Sequence, residues 1–274
     1  MVMGDEQIQT LLKLVEEAGQ QTLPYWKTGT SVTTKADESP VTAADMAAHH
    51  VLEAGLQRLT PDIPILSEEA CDIPLAERQQ WQRWWLVDPL DGTKEFIAGS
   101  EEFTVNVALI EAGQVVFGLV GVPTQNVIYY GGKHIGAWRV SGGERQAICV
   151  AEPAQPLRVL ASLRHSSPEQ QQLMQRLQQD TEIELLNAGS SLKFCWLAEG
   201  KADVYPRLAP TSQWDTAAAQ AVLEGAGGEV IDERGHALTY EARKNYLNPF
   251  FYALAKGSVW RDKIIKPAVQ KSTD

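Results

Sequence analysis

The stretch Trp84-Trp85-Leu86-Val87-Asp88-Pro89-Leu90-Asp91-Gly92-Thr93 carries an apolar, strand-like run directly into two carboxylates. Two readings compete. Asp-Pro and Asp-Gly both form turns, so on these residues alone an ordinary strand ending in a turn is favoured. Against it, Pro89 fixes φ and removes an N–H, which stiffens the spacing between the acids. Two carboxylates held close repel unless a proton or a cation lies between them. A hard dication such as Mg2+ takes oxygen ligands, backbone carbonyls included, and Leu90 is placed between the acids to offer one.

Upstream of this stretch the chain reads as helical. Ile8, Leu11, Leu12, Val15 and Ala18 recur at helical spacing over 5–19. A polar loop is expected from Thr28 to Ser39. Thr42 and Asp45 form a capping box that starts a second helix, with Ala44, Ala47, Ala48, Val51, Leu52, Leu56 and Leu59 as its apolar face. Pro61 and Pro64 bracket a break, and Ile65-Leu66 make a short strand running into Ser67-Glu68-Glu69. Downstream, Phe103 to Leu109 alternates, Glu111-Ala112-Gly113 turns, and Val115 to Val120 returns as a hairpin. A further alternating pair surrounds Gly131-Gly132. This half reads as an antiparallel sheet with two helices on one face.

Past about Glu152-Pro153 the texture is mixed. Strands are expected at 157–161, 183–186, 202–205, 228–231 and 250–254, and helices at 168–179, 190–199 and 215–224. The fold class is therefore α/β (α+β): an N-terminal α+β unit over 1–150 and a smaller mixed-sheet α/β unit over 151–274. No internal repeat is visible, and the glutamines at 170–179 read as a solvated helix face.

Composition bounds the function. The 274 residues suit one large domain or two small ones, and 44% hydrophobic with 22% charged residues is ordinary globular usage. No apolar run approaches the roughly 20 residues of a membrane span. No secretory signal is expected from Met1 to Glu6. Three scattered cysteines, Cys71, Cys149 and Cys195, make neither a disulfide framework nor a zinc pair, so a reducing cytoplasm is the expected compartment. A net charge of −11 argues against binding long nucleic acid through its phosphates, yet leaves room for a small anionic substrate. The oligomeric state is open, a homodimer included.

Taken singly, the other acids read as structural. Glu68 and Glu69 are a solvated pair, Asp45 belongs to its capping box, and Asp215 opens an alanine-rich helix where capping and the dipole favour an acid. The ordered set changes that weight. Glu68-Glu69, then Asp88-Pro89-Leu90-Asp91-Gly92-Thr93, then Trp214-Asp215-Thr216-Ala217-Ala218 resembles the inositol monophosphatase superfamily of lithium-sensitive, magnesium-dependent phosphomonoesterases. The resemblance runs from Pro40 to about residue 230 and is highly specific. Within the superfamily the chain is most similar to the CysQ-type 3'(2'),5'-bisphosphate nucleotidases. The residues that carry this are Lys35 to Asp45, Gly189-Ser190-Ser191-Leu192-Lys193-Phe194, Ala198 to Arg207, and Pro210 to Asp215. Ala209 and Gln213 depart from the pattern conservatively.

The resemblance implies a layered α-β-α-β-α sandwich of the sugar-phosphatase type. It implies about two or three Mg2+ ions per site, held by Glu68, Asp88, the Leu90 carbonyl, Asp91 and Asp215. Thr93 with Asp45 behind it is the pair that orients and deprotonates the attacking water, and Glu68 belongs to this catalytic group. Gly92 and Thr93 N–H groups are expected to cradle phosphate oxygens. His165, Ser190, Ser191, Lys193, Arg207 and Asp215 are expected to contact the substrate, the serines and Lys193 from the first turn of a helix. The implied substrate is a small phosphorylated nucleotide, adenosine 3',5'-bisphosphate (PAP), hydrolysed to AMP and phosphate, with PAPS to APS alongside. This reaction clears a by-product of sulfate assimilation. An inositol monophosphatase or broad-specificity sugar-phosphate phosphatase remains the alternative, because the metal core is common to all. Peripheral attachment at the inner membrane is known for some relatives, but no lipid motif or basic amphipathic helix here supports it.

Overall fold

In the computed structural model, which describes residues 3–28, 32–34, 40–161 and 168–265, the chain opens with α1 (Asp5–Thr22). Its predicted stripe Ile8, Leu11, Leu12, Val15 and Ala18 is buried. The expected polar loop contains a short strand, β1 (Val32–Thr34), paired antiparallel with β2 (Pro40–Thr42), which directly follows the loop. Three residues per strand are too few for alternation to show in the sequence. α2 (Ala43–Leu59) starts at the predicted capping box, with the Thr42 N–H donating to Asp45 Oδ2 at 2.8 Å and the Ala44 N–H donating to Thr42 Oγ1 at 3.1 Å.

The first sheet is built from β3 (Ile65–Ser67), then, after α3 (Leu75–Arg78), β4 (Arg83–Asp91). After α4 (Thr93–Ile97) come β5 (Thr104–Glu111), β6 (Gln114–Val122), β7 (Val127–Gly132), β8 (Gly136–Ser141) and β9 (Glu144–Ile148). These strands lie side by side in chain order. All neighbours are antiparallel except β3 and β4, which are parallel. That exception amends the all-antiparallel expectation and matters for the site, because β3 and β4 deliver their C-terminal ends to one edge.

The second sheet comes from β10 (Leu157–Leu160), β11 (Ile183–Leu186), β12 (Val204–Arg207), β13 (Gly228–Asp232) and β14 (Phe251–Ala255). α5 (Pro168–Leu177), α6 (Leu192–Ala198), α7 (Ala217–Gly225) and α8 (Arg261–Ile264) are interspersed among them. Its spatial order is β11-β10-β12-β14-β13, parallel on the β11-β10-β12 side and antiparallel beyond.

The layers stack as expected: α1 and α2, the first sheet, α6 and α7, the second sheet, then α5 and α8. One cluster joins α1 and α2 to Trp85, Val87, Val105, Val107 and Leu109. A second joins Leu86, Ala108, Ile110 and Val120 to α6, α7, Tyr205 and Phe251. The first sheet is thus covered on both faces, and α7 supplies the second cover. Gly118 shows how closely it does so: a Cβ there would lie 2.2 Å from the Ala218 carbonyl oxygen. Gly131 and Gly132 end β7 and are not a turn, and at Gly131 a Cβ would lie 3.2 Å from Val222 Cα. Small residues on both partners let helix and sheet backbones meet, and two carboxylate-bearing segments are brought together by that contact.

Candidate active site

β4 does not end before the acids. Its pairing with β5 continues to Asp91, opposite Thr104, with an irregularity between Asp88 and Asp91, where Pro89 supplies no N–H. The strand-then-turn picture is corrected accordingly: the acids lie in the strand, and the turn falls at Gly92, whose φ of 91° suits glycine. In a regular strand Asp88 and Asp91 would point to opposite faces. The bulge turns both into one cleft, lined by Glu68, Asp88, Leu90, Asp91, Asp215 and the Gly92–Glu95 start of α4.

Glu68 follows β3, and its N–H donates to Val87 O at 3.0 Å, extending the parallel pairing and setting Glu68 beside Asp88. Asp215 arrives from the other side, just before α7, with its Oδ2 accepting the Ser212 N–H at 3.0 Å. Oxygens of Glu68, Asp88 and Asp215 all lie within 4.8 Å of one another. Asp88 is 1% exposed and accepts the Leu90 N–H at 3.0 Å. Burial, followed by the charges of Glu68, Asp91, Asp215 and Asp45, raises its pKa well above the usual carboxylate range. Asp215 is raised as well, by burial first and then by Asp91 and Glu68, against the lowering effects of the Ser212 N–H and Arg207. A set of hard oxygen donors that must otherwise take up protons to coexist fits a hard divalent cation.

Asp91 is held differently. Its Oδ2 lies 2.6 Å from Ser190 Oγ and 2.9 Å from Ser191 Oγ, and accepts the Ser191 N–H at 2.7 Å. Among the described residues no hydrogen bond involves Oδ1, so one oxygen is tied down and one remains for the cleft. These contacts modify the reading of the serines. α6 begins at Leu192, Ser191 precedes it, and Ser190 sits at φ +54°, a strained conformation for a residue with a Cβ. Their donors face Asp91 and, from the Ser191 hydroxyl, also the Asp215 carbonyl at 2.7 Å, with Thr104 Oγ1 2.6 Å from Ser190 Oγ and the Asn106 amide donating to Ser191 Oγ at 2.8 Å.

The Lys193 ammonium donates to Ser190 O at 3.3 Å and lies 5.6 Å from the Tyr205 ring. Burial lowers its pKa, opposed by the Asp91 charge and reinforced by Arg207. Arg207 ends β12 and donates from Nε to Thr211 Oγ1 at 2.6 Å. Lys193 and Arg207 therefore form one cationic group beside Asp91 and Asp215, set back from the residues that line the acidic cleft. Lys94 and Glu95 do line it, and the sequence reading passed over them although they follow the motif directly. His165 lies outside the described residues, as do residues 35–39 of the Lys35 to Asp45 match.

Thr93 opens α4, and its hydroxyl lies 3.4 Å from both Asp45 Oδ1 and Leu90 O. Asp45 uses its two oxygens separately. Oδ2 takes the Thr42 N–H and the Thr42 hydroxyl at 2.7 Å, while Oδ1 faces Thr93. The capping role and the role beside Thr93 are thus compatible in one carboxylate.

The chain matches the family model described as "Inositol monophosphatase family" over residues 4–271. It is 53% identical over 218 residues to the 3'(2'),5'-bisphosphate nucleotidase CysQ of Salmonella typhimurium, covering 79% of this chain and 86% of the relative. Against the CysQ of Escherichia coli K12 the identity is 52% over 221 residues, 80% and 87% of the two chains. The crystal structure of CysQ from Bacteroides thetaiotaomicron, titled a bacterial member of the inositol monophosphatase family, superimposes with a TM-score of 0.81 at 35% identity, over 93% and 99% of the chains. An inositol monophosphatase from Thermotoga maritima shares the fold with a TM-score of 0.73 at 24% identity. Among the described residues no helix is long and apolar enough to cross a membrane.

Proposed function

The chain belongs to the inositol monophosphatase family and is of its CysQ type, and from that premise we propose that it hydrolyses adenosine 3',5'-bisphosphate to AMP and phosphate in a Mg2+-dependent reaction. PAPS, hydrolysed to APS, is the second substrate of this reading. The observation that carries it is the cluster of Glu68, Asp88 and Asp215 oxygens within 4.8 Å, next to Asp91 in the same cleft. Glu68, Asp88, the Leu90 carbonyl, Asp91 and Asp215 would hold the cations. When bound, these supply positive charge to the phosphoryl and leaving oxygens and acidify water.

The chain's own residues do the rest. Asp45 accepts a proton from Thr93, whose oxygen can then accept one from a water aligned on phosphorus. The 3.4 Å separation is long, as such contacts often are before substrate arrives. The water oxygen bonds to phosphorus, the bond from phosphorus to the 3' oxygen breaks, and that oxygen leaves with a proton taken from solvent water, while the proton held on Asp45 returns to solvent. The N–H groups of Gly92 and Thr93 face the phosphate, and Lys193 with Arg207 takes the second phosphate. That second anion separates a bisphosphate from a monoester, and the two cations give a physical reason to expect it. Two secondary expectations come with this reading: family membership supports inhibition by lithium, and three cysteines joined by no disulfide support a cytoplasmic setting.

Side-by-side turnover with Mg2+ tests the substrate. The higher kcat/KM is expected for adenosine 3',5'-bisphosphate; a higher value for inositol 1-phosphate would replace this reading with inositol monophosphatase.

A further inference from the structure

β5 is buried on both faces, and its residues alternate. Val105, Val107 and Leu109 face α1 and α2, while Thr104, Asn106, Ala108 and Ile110 face the middle helical layer. Two of those four are polar, at 0% and 1% exposure, in a row where apolar side chains would pack without penalty. Asn106 does not touch the cleft, and Thr104 reaches it only through its hydroxyl, 3.4 Å from Asp91 Oδ2. Each is instead the strand partner of a cluster acid: Asn106 lies opposite Asp88, and Thr104 opposite Asp91. Each reaches one serine of the Ser190-Ser191 pair, at 2.6 Å from Thr104 and 2.8 Å from Asn106.

Ser191 is the junction. Its single hydroxyl proton has two acceptors, Asp91 Oδ2 at 2.9 Å and the Asp215 carbonyl at 2.7 Å. The Asn106 amide donates into a lone pair of the same oxygen, so the proton must point away from Asn106 toward one acid segment or the other. Asn106 Oδ1 is buried with no partner among the described residues, so the amide is poorly satisfied as a purely structural group.

We propose that Asn106 and Thr104 are positioning residues that act through Ser191 and Ser190 to fix the two cation-holding segments, Asp91 from the first sheet and Asp215 from the start of α7, at their working separation. This rests on the reading of Asp91 and Asp215 as cation ligands. Residues that orient the ligands of a metal alter its affinity by roughly 10–100-fold when removed. They do so without touching metal or substrate.

The test is Mg2+ binding to metal-stripped protein by calorimetry, with Mn2+ paramagnetic resonance as a second readout. It uses Asn106→Ala, Ser191→Ala and the double variant. Asn106→Ala is expected to weaken Mg2+ about tenfold or more, and the double variant to bind no worse than Ser191→Ala alone, because both changes cut one path. The near-isosteric Thr104→Val, which cuts both the Ser190 contact and the direct 3.4 Å contact to Asp91, should likewise weaken Mg2+ and serves if Asn106→Ala does not fold. Asn106→Ala also removes a buried hydrogen bond and leaves a cavity, so a lower apo thermal midpoint is expected and Mg2+ affinity is read on folded protein well below that midpoint. Unchanged Mg2+ affinity in Asn106→Ala, or effects that multiply in the double variant, would overturn the inference. Wild-type protein that binds Mg2+ normally but cleaves no phosphate ester would contradict the proposed function and leave this inference standing.

Discussion

Asp91 is the residue on which both halves of the site converge, and its two oxygens do different work. Three donors from Ser190 and Ser191 lie on Oδ2. Asp91→Asn either turns its NH2 into the cleft, which removes a cation ligand, or sets it against the Ser191 N–H, which leaves only a neutral oxygen for the cation. Turnover should fall roughly 10²–10³-fold, the equivalent of several kcal/mol of cation assistance, with little change in thermal stability. Asp88 and Asp215 predict a pH dependence. Both folded-state pKa values are raised, so between the unfolded value near 3.9 and the raised one the folded state holds more protons than the unfolded state. Metal-stripped protein should therefore lose stability as pH rises through that window. Mg2+ must displace those protons, so its affinity should rise with pH over the same window. Calorimetry in buffers of different ionisation enthalpy should record proton release on binding; equal heats in all buffers would contradict it. Thr93→Ala should lower kcat by about 10²–10⁴-fold while leaving Mg2+ affinity within about twofold, because the proposed mechanism gives the Thr93 side chain proton transfer alone.

At the scale of elements, the site is set by where strands end and how closely a helix approaches. The parallel step from β3 to β4 puts Glu68 beside Asp88, and the bulge in β4 turns Asp91 to the same side. α7 can bring Asp215 to them because Gly118 lets its backbone touch the sheet. Gly118→Ala places a methyl 2.2 Å from the Ala218 carbonyl oxygen and should cost about 1–3 kcal/mol, read as a lower denaturation midpoint. Since α7 must back away, activity should fall too; a variant with wild-type turnover would show that Asp215 tolerates the shift. Much of this was legible in the sequence. The capping box at Thr42 and Asp45, the hairpin around Gly113 and the elements beyond 150 follow from local period and turn chemistry. The bulge was not, because Asp-Pro and Asp-Gly read as turns and only pairing with Asn106 and Thr104 shows the strand continuing. Gly131 reads as part of a turn because what crowds a side chain there, the Gly136 carbonyl oxygen of the paired strand at 2.9 Å and then Val222 Cα of a helix 91 residues later at 3.2 Å, lies on other elements. The tie from Asp91 to Ser190 and Ser191 spans about a hundred residues and has no local signature.

For the whole molecule, the division of labour runs across the middle layer. One sheet is drawn from residues 65–148 and the other from 157–255, and we propose units that divide near residue 150. Yet one apolar cluster includes Leu86 and Ala108 from the first with Val222, Tyr205 and Phe251 from the second. Helices from residues 192–225 cover one face of the first sheet, so neither sheet keeps a closed core alone. Thermal unfolding should be a single calorimetric transition with equal calorimetric and van't Hoff enthalpies. Two resolved transitions would mean that the units are independent. The ions that the acidic cluster would hold join the same two units, through Glu68, Asp88 and Asp91 on one side and Asp215 on the other. Function and cohesion therefore meet at one place. Phosphate release from adenosine 3',5'-bisphosphate by metal-stripped protein, followed as Mg2+ is added back, addresses that place most directly. No turnover without metal and saturable recovery with Mg2+ is the predicted result; turnover by the stripped protein, or none at any Mg2+ concentration, would contradict the account.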